Sequence, residues 1–597
     1  MKKLKAGVAF GDYISQQANA GSKGHWGEGR GNSMRPLLLP LLAVLIIALL
    51  FVKLFSLQIL QGSYYKGLAD NNRTRTVVIH GPRGIIFDRN GTPLVFNIPG
   101  FRQEKNDKTN LLTQEEALPF LAQKGSNLEI DSLRGYPYKE VFSHVLGYIG
   151  QISQDELKQE QFSSYNGGDI IGKAGIEQRY EQILKGVDGK KLVEVDSQGK
   201  EIRSLGESDP ISGRDIMLTL DSGLGKATYN AMKGVMKGAA IVSTPKGEIL
   251  SLVSSPSFDP NLFTMGEGFR PATDSSYQNV SSVLLDLLNQ PLLNRAISGT
   301  YPPGSTFKLI VAAAGLENNI IDENYVVSDN GTLRIGEFSF SNWYFTQYGK
   351  TEGEVDVVKA IKRSNDIFFY TLAGKVGVDT IAKMSSEFGI GKTLGIDLNG
   401  EAAGILPTTS WKEKAIGEQW YTGDTYHLGI GQGYLLATPL QVNGWTQTIA
   451  NEGVLYEPHL LKSQNSNVKS QKFLSRKTVD LIREGMINSC APGGVAWPLF
   501  EFRIKNAKLR IDGKNFLAVP ESTSSAQFSE YRKVSIACKT GTAQHGGQEA
   551  LPHAWITLFA PAYNPQIVVT VLSEESGEGS NVAAPIAKKI LEYYFSR

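Results

Sequence analysis

The chain has 597 residues, which is too long for one hydrophobic core and predicts two or more domains. Its 61 Lys and Arg residues nearly balance 59 Asp and Glu residues, so charge gives no case for nucleic acid as a partner. Only two cysteines occur, Cys490 and Cys538, which excludes a disulfide-stapled scaffold and a cysteine-rich zinc protein. The sequence leaves open whether these two cysteines pair.

The N-terminus combines a polar tail with one apolar run. Residues 1–36 are Gly-rich and basic, which predicts a disordered cytoplasmic tail. Residues 37–57 are apolar enough to cross a bilayer core of about 30 Å, provided that Lys53 extends its ammonium to the interface. Because no small-x-small cleavage signature follows, we expect a retained anchor and not a removed signal peptide. The preceding basic residues predict a cytoplasmic N-terminus and an extracytoplasmic remainder.

Residues 58–206 form a mixed region. The run TRTVVIHG, which starts at Thr74, is strand-like, and Asn90-Gly91 between apolar flanks predicts a hairpin. The segment from Glu177 to Gly186 has a helical pattern. No nucleophile with a neighbouring base stands out here, so we expect a spacer or docking domain, an elongated pedestal.

Residues 207–597 have the pattern of an α/β domain, or α+β, with an antiparallel sheet flanked by helices. A helix is predicted over Gly225–Lys237, followed by two strands within residues 238–255 that turn at Pro245-Lys246-Gly247. Residues 553–575 alternate like two further strands, and residues 585–595 have the period of an amphipathic helix. The sheet is therefore expected to be built from both ends of the domain, with a helical middle.

Three short motifs follow one another in this domain: Ser305-Thr306-Phe307-Lys308, Ser364-Asn365-Asp366 and Lys539-Thr540-Gly541-Thr542. Each is common by itself, and an N-cap serine followed by a surface lysine would explain the first. The ordered set is much rarer, and it is the signature of penicillin-binding proteins and serine β-lactamases. It therefore predicts a serine enzyme.

The motif spacing has a physical basis. Helix formers follow Tyr301-Pro302-Pro303-Gly304, so Ser305 should start a helix with Lys308 one turn on, on the same face. A desolvated lysine near another cation can lose its proton and act as the general base for the serine. The positive end of the helix dipole favours the oxyanion that develops at the attacked carbonyl.

The third motif follows a β-prone run and should lie on a strand at the edge of the cleft. There Gly541 lets a substrate backbone approach closely. The ammonium of Lys539 and the hydroxyls of Thr540 and Thr542 suit recognition of a peptide carboxylate. The seven histidines show no HExxH pattern, and we interpret His545 and His553 as loop residues, so metal-free catalysis is expected.

Longer segments give the resemblance to a family. They are YPPGSTFK from Tyr301, RGIIFDRNGTPL from Arg83, AGIEQRYEQILKGVDG from Ala174, and HLGIGQGYLLATPLQ from His427. In these segments, and in KTGTAQ and HAWITLFAP, the chain resembles class B penicillin-binding proteins over nearly its whole length. It is most similar to their elongation-type branch, penicillin-binding protein 2.

The resemblance implies a role for each motif residue. Ser305 would form an acyl-enzyme with the penultimate D-alanine of a stem peptide, with Lys308 as base and Ser364 as proton relay. The backbone N–H groups of Ser305 and Thr542 would form the oxyanion hole. Lys539, Thr540 and Thr542 would hold the donor carboxylate. The other substrate-binding residues of the cleft would be Asn365, Asp366 and Gly541.

The resemblance also implies partners. Peptidoglycan stem peptides would be the substrates, and β-lactams would be inhibitors. The protein partners would be a separate membrane glycan polymerase of the SEDS family and proteins of the elongation complex. No cofactor is implied. Some elongation-type enzymes carry zinc near the second motif, but no cysteine lies between the first two motifs here, so we expect none.

Three features depart from the family pattern. Asp366 stands where the wider superfamily has Asn. The stretch between Asn97 and Arg134 is short for the family's head subdomain, and residues 500–533 look like a loop-rich insertion.

Two other functions fit the motifs. A D,D-carboxypeptidase or β-lactamase would use water in place of an amine to release the acyl group. A non-catalytic β-lactam sensor would need a cytoplasmic effector domain, for which the N-terminal tail is too small. We therefore favour a D,D-transpeptidase.

Overall fold

The computed structural model describes residues 35–105, 108–121, 128–196, 201–266, 268–462, 468–505, 509–511, 514–516, 531–546 and 550–597. The chain divides into two compact units, Met1–Arg75 with Val195–Ser197, and Thr76–Glu194 with Gln198–Arg597. Most of the predicted tail, residues 1–36, lies outside the described residues.

The first unit carries the apolar helix. Helix α1, Arg35–Phe55, runs through a π-helical turn, Ser56–Leu60, and is followed by α2, Gly62–Arg73. Among the described residues, Leu39–Leu60 is the one helical segment long and apolar enough to cross a membrane. At 1.5 Å per residue its 22 residues span roughly 33 Å, about the thickness of a bilayer core. The finding fits a membrane-anchored protein.

The elements of the pedestal are short. Its strands are β1 Thr74–Ile79, β2 Ile86–Phe87, β3 Pro93–Lys105, β4 Lys108–Thr113, β5 Leu128–Gly135, β6 Ile149–Gln151, β7 Ile170–Gly172, β8 Gly189–Val195 and β9 Glu201–Ser208. Its helices are α3 Gln114–Leu121, α4 Ser143–Leu146, α5 Gly175–Arg179 and α6 Glu181–Leu184. Strands β2, β3 and β4 form an antiparallel sheet in that order, and β5 also pairs with β3.

The predicted hairpin is present between β2 and β3. Gly91 has a φ of +83°, which a glycine adopts without strain, and Asp88 Oδ1 accepts hydrogen bonds from the backbone N–H groups of Asn90 and Thr92 at 2.8 Å each. The single helix predicted over Glu177–Gly186 is wrong. The segment forms two short helices, α5 and α6, which are interrupted at Tyr180. The Tyr180 hydroxyl donates a 2.8 Å hydrogen bond to Oδ2 of Asp397, which is far away in the sequence.

A buried ion-pair cluster connects the family-like segments of the pedestal. Arg83 Nη2 lies 2.8 Å from carboxylate oxygens of both Glu177 and Glu181, and Arg134 Nε lies 2.7 Å from the other oxygen of Glu177. Buried charges need such paired, hydrogen-bonded partners. The cluster therefore holds these separate segments of the chain against one another.

The part of the chain that follows the pedestal strands begins with β10 Ile216–Met217, which pairs in parallel with β2. Its other strands are β11 Gly238–Ser243, β12 Ile249–Ser255, β13 Val327–Asp329, β14 Thr332–Ile335, β15 Phe338–Ser341, β16 Gly353–Val355, β17 Val454–Tyr456, β18 Ser470–Lys472, β19 Arg503–Lys505, β20 Leu509–Ile511, β21 Lys514–Phe516, β22 Tyr531–Lys533, β23 Ala537–Ala543, β24 His553–Ala560 and β25 Ile567–Ser573.

The helices of this part of the chain lie between and around these strands. They are α7 Ser222–Ala231, α8 Asn261–Thr264, α9 Val280–Leu284, α10 Lys308–Glu317, α11 Trp343–Tyr348, α12 Val357–Arg363, α13 Asp366–Val376, α14 Val378–Glu387, α15 Thr409–Ile416, α16 Thr422–Gly429, α17 Pro439–Ala450, α18 Arg476–Ser489 and α19 Ala583–Ser596.

The central sheet has the antiparallel order β12-β11-β25-β24-β23. Successive residues of β24 point to opposite faces: Ile556 packs with α7 and α19, whereas Trp555 packs with the core around α10 and α17. The predicted α/β fold, with its sheet built from both ends of the domain, is confirmed. Strand β23, which carries the third motif, is an edge strand.

Two local predictions change, and one open question is answered. The helix predicted over Gly225–Lys237 begins earlier, at Ser222, because Asp221 Oδ1 accepts from the N–H of Leu224 at 2.8 Å, and it ends at Ala231. The described parts of the stretch 500–533 form two antiparallel strand pairs, β19 with β22 and β20 with β21. Cys490 and Cys538 form a disulfide with a Cα–Cα distance of 5.9 Å, which joins the end of α18 to β23.

Candidate active site

Ser305 lies in a tight turn ahead of α10. Residues Gly304–Thr306 form a 3-10 turn in which Gly304 has a φ of +54°, and Lys308 is the first residue of the helix. The N–H of Gly304 donates to the carbonyl of Gly431 at 2.9 Å. A Cβ on Gly431 would lie 2.1 Å from Gly304 O, so only glycine allows this approach. The turn leaves Ser305 half-buried at the N-terminal end of the helix.

Lys308 is completely buried and points towards the second motif. Its Nζ donates to Asp366 Oδ1 at 2.6 Å, to the carbonyl of Ser364 at 2.8 Å and to Ser364 Oγ at 3.3 Å. Within the described residues these hydrogen bonds do not include Ser305 Oγ. Burial lowers the pKa of Lys308, and the Asp366 carboxylate opposes part of this shift.

Ser364 joins α12 to α13 in a left-handed conformation, with φ +53° and ψ +40°. Its hydroxyl lies between the two motif lysines, because Lys539 Nζ donates to Ser364 Oγ at 2.8 Å. Lys539 is also completely buried. Its pKa is held well below the ordinary value by burial and by the nearby Lys308 ammonium, with Asp366 opposing. The three groups thus form one hydrogen-bonded chain.

The third motif packs directly on the Gly304–Thr306 turn. A Cβ on Gly541 would lie 3.0 Å from Thr306 Cγ2 and 3.1 Å from the carbonyl oxygen of Pro303, so β23 and the turn are in close contact. Thr540 is mostly buried, and Thr542 is exposed beside Gly304. The structure therefore brings Ser305, Lys308, Ser364 and the third motif to one place.

The rest of the second motif is used inside the protein. Asn365 is completely buried: its Oδ1 accepts from the N–H of Phe368 at 2.8 Å and so caps α13, and its Nδ2 donates to Asp329 Oδ2 at 2.7 Å. The second carboxylate oxygen of Asp366 accepts from the N–H of Trp343 at 2.9 Å. Asp329, Asn342 and Trp343, which contact this motif, belong to no sequence motif that includes Ser364 and so were not predicted.

No metal site emerges around these groups. Among the residues that the structure describes, no cluster of three or more His, Cys, Asp or Glu side chains is placed to hold a metal ion. His545 and His553 stack with ring centroids 4.1 Å apart, and burial lowers the pKa of His553 to about 4. The expected absence of zinc stays a prediction.

Comparison with known proteins gives the class. Residues 238–592 match the penicillin-binding protein transpeptidase domain, and residues 108–218 match the penicillin-binding protein dimerisation domain. The chain belongs to the penicillin-binding proteins, as a class B member of the penicillin-binding protein 2 type.

Two curated relatives extend over most of the chain. The peptidoglycan D,D-transpeptidase MrdA of Haemophilus influenzae is 32% identical over 93% of this chain and 90% of its own length. The protein of the same name from Escherichia coli K12 is 31% identical, over 92% of each. The chain is accordingly a serine-type peptidoglycan D,D-transpeptidase that binds β-lactams.

Solved structures agree with the fold. Penicillin-binding protein 2 of Helicobacter pylori, in complex with MreC, aligns with a TM-score of 0.71 and 27% identity over 87% of this chain and 98% of that one. Penicillin-binding protein 2 of Pseudomonas aeruginosa, in complex with WCK 5153, aligns with a TM-score of 0.65 and 34% identity over 87% of this chain and 96% of that one.

Proposed function

We propose that this transpeptidase works through an acyl-enzyme on Ser305. Ser305 Oγ forms a bond to the carbonyl carbon of the penultimate D-alanine of a donor stem peptide, and the bond to the terminal D-alanine breaks. An amine of a second stem peptide then attacks the ester, which forms the cross-link and returns the serine. The observation that carries the proposal is the convergence of two buried lysines and Ser364 beside Ser305.

Lys308 is the proposed general base. In its neutral form it takes the proton of Ser305 as the new bond forms. Its depressed pKa supports this role, because burial favours the neutral amine. In the structure Lys308 donates hydrogen bonds to Ser364 and Asp366. We expect the Lys308 amine to move towards Ser305 Oγ when substrate binds, because catalytic hydrogen bonds often form fully only in the substrate complex.

Ser364 is the proposed relay. Its hydroxyl contacts both lysine ammonium groups, so a proton taken up at Lys308 reaches the leaving amine of D-alanine through Ser364. The donor carboxylate is held by residues of the third motif: Lys539, Thr540 and Thr542. The N–H groups of Ser305 and Thr542 bind the developing oxyanion, which the adjacency of Gly304 and Thr542 O supports.

The setting is proposed from the anchor and the relatives. The α1 helix holds the chain in the cytoplasmic membrane as a single pass with a cytoplasmic N-terminus, and residues 58–206, the non-catalytic domain, and residues 207–597, the transpeptidase domain, lie outside the cytoplasm. The Helicobacter pylori relative was solved with MreC, and another structural neighbour belongs to a peptidoglycan synthase complex. We therefore expect elongation-complex partners, including a glycan polymerase of the SEDS family.

The direct test is labelling with a fluorescent penicillin. Wild-type protein should be labelled, and Ser305→Ala should not, because the variant lacks the oxygen that forms the ester. Ser386→Ala, on α14, is the matched control and should label normally. Equal labelling of Ser305→Ala would remove Ser305 from the mechanism. A cross-linking assay with a defined acceptor amine then separates transpeptidation from hydrolysis, since a carboxypeptidase would release the donor without joining it.

A further inference from the structure

Asp329 is a buried carboxylate with an unusually complete set of donors. It ends β13 and is 1% exposed. Its Oδ1 accepts from the N–H of Gly331 at 2.7 Å, and its Oδ2 accepts from Asn342 Nδ2 at 2.8 Å, Asn365 Nδ2 at 2.7 Å and the N–H of Glu352 at 3.2 Å. A buried carboxylate is tolerated only when hydrogen bonds replace its lost hydration, and here four do.

The two asparagine amides connect Asp329 to the second motif. Asn365 Oδ1 accepts from the N–H of Phe368 at 2.8 Å, which fixes the start of α13. Asn342 Oδ1 accepts from the N–H of Asp366 at 3.2 Å. The backbone N–H of the next residue, Trp343, donates to Asp366 Oδ2 at 2.9 Å. The other carboxylate oxygen, Asp366 Oδ1, accepts a hydrogen bond from Lys308 Nζ.

An acceptor-only group determines which way each amide faces. Asn carries a carbonyl oxygen and an NH₂ group, and either end could point at a neutral neighbour. A carboxylate accepts and never donates, so both NH₂ groups must face Asp329 and both carbonyl oxygens must face the backbone N–H groups of Asp366 and Phe368, at the start of α13. Asp329 thereby sets the hydrogen-bond direction on which the positions of Asn365 and Asp366 depend.

This control matters because Ser364 is held in an unfavourable backbone conformation. A serine at φ +53° is in the left-handed region, which is unfavourable for a residue with a side chain unless the surrounding structure holds it. Ser364 lies directly before the two residues that the amides hold. Relaxation there would move the Ser364 hydroxyl and the Asp366 carboxylate away from the two lysines.

We propose that Asp329 is a positioning residue for acylation, acting through Asn342 and Asn365 to hold Ser364 and Asp366 against Lys308. The inference rests on the proposed roles of Ser305 and Lys308. It predicts that removing the Asp329 carboxylate slows the bond-forming step and leaves the initial binding of penicillin unchanged, because Asp329 is buried and its four hydrogen bonds run to residues outside the third motif.

The test separates binding from chemistry in the full-length, detergent-solubilised protein. Stopped-flow acylation by a fluorescent penicillin gives the dissociation constant of the non-covalent complex and the acylation rate constant. Asp329→Ala should lower the rate constant by on the order of 10²-fold, the effect of a misplacement of about 1 Å, with the dissociation constant within threefold of wild type. An unchanged rate constant in folded Asp329→Ala would overturn the proposal.

The conservative variant should recover most of the rate. In Asp329→Asn the single oxygen can keep facing both asparagines, and only the hydrogen bond from Gly331 is lost, so a loss of only a few-fold is expected. If Asp329→Asn were as slow as Asp329→Ala, the direction-setting argument would fail. Should Asp329→Ala not fold, Asn342→Ala removes half of the network and must itself slow acylation; a wild-type rate in that variant would refute the proposal.

Two controls keep the failures distinguishable. Asp397 is a half-buried acid that accepts from the N–H groups of Leu460 and Leu461 away from the cleft, so Asp397→Ala should melt at lower temperature and acylate at the wild-type rate constant. An equal slowing in Asp397→Ala would assign the effect to general destabilisation and overturn the positioning role. Ser305→Ala tests the proposed function separately, since its labelling would end that proposal whatever Asp329 does.

Discussion

Replacing Asp366 by asparagine tests how the pKa of Lys308, the proposed general base, is set. The Asp366 carboxylate lies 2.6 Å from the Lys308 ammonium, and asparagine keeps the shape while removing the charge. With an effective dielectric constant of about 20, Coulomb's law gives roughly 6 kcal/mol for unit charges at that separation, an upper limit. Opposite charges at such range typically shift a pKa by about 1–3 units.

The direction follows from the proton balance. In the proposed mechanism acylation requires neutral Lys308, so the acylation rate should rise with pH through the pKa of this group. Asp366 raises that pKa against the effect of burial, and its loss lowers it. Lys539 responds in the same sense, because Asp366 also raises its pKa. The acid limb of the acylation profile, which belongs to the coupled cluster, should therefore move to lower pH by about 1–3 units.

The assay is the second-order rate constant for acylation by a fluorescent penicillin, measured across the pH range in which the protein stays folded. Asp379→Asn, an exposed acid at the start of α14, is the control for loss of one negative charge and should leave the profile in place. An acid limb of Asp366→Asn that stays where it is in wild type, or moves to higher pH, would refute the reasoning.

Two further substitutions probe the site. Lys308→Met removes the proposed base from a fully buried position and should slow acylation by about 100-fold or more, as stopped-flow rates would show; a rate within threefold of wild type would place the base elsewhere. Gly541→Ala forces a methyl group against Pro303 O and Trp555 Cβ, each 3.1 Å away, and should cost about 1–3 kcal/mol in denaturant unfolding. The control is Gly423→Ala, whose methyl group meets only Phe340 at 3.6 Å, and equal stability losses in both variants would contradict the argument.

The features that the sequence predicts well are those with local causes. A Pro-Pro-Gly run followed by helix formers predicts a turn before α10, and alternating apolar residues predict β11, β12, β24 and β25. The order of the three motifs predicts that they meet, and the structure places Ser305, Lys308, Ser364 and Lys539 together.

Features with long-range causes could not be predicted in this way. The left-handed Ser364 lies next to Asn365, which donates to Asp329 from 36 positions away. The two short helices meet at Tyr180, whose hydroxyl donates to Asp397, 217 positions away. Neither contact leaves a periodic signal, because each depends on how separate segments pack. The same holds for the cysteine pair, because the sequence does not show whether the Cα atoms of two cysteines come close enough for a disulfide bond.

The most direct measurement of the central claim is mass spectrometry of the protein after exposure to penicillin, with proteolysis to locate the adduct. The account predicts one penicilloyl group, on the peptide that contains Ser305, and no adduct in Ser305→Ala. A stable adduct on a peptide that lacks Ser305 would contradict it.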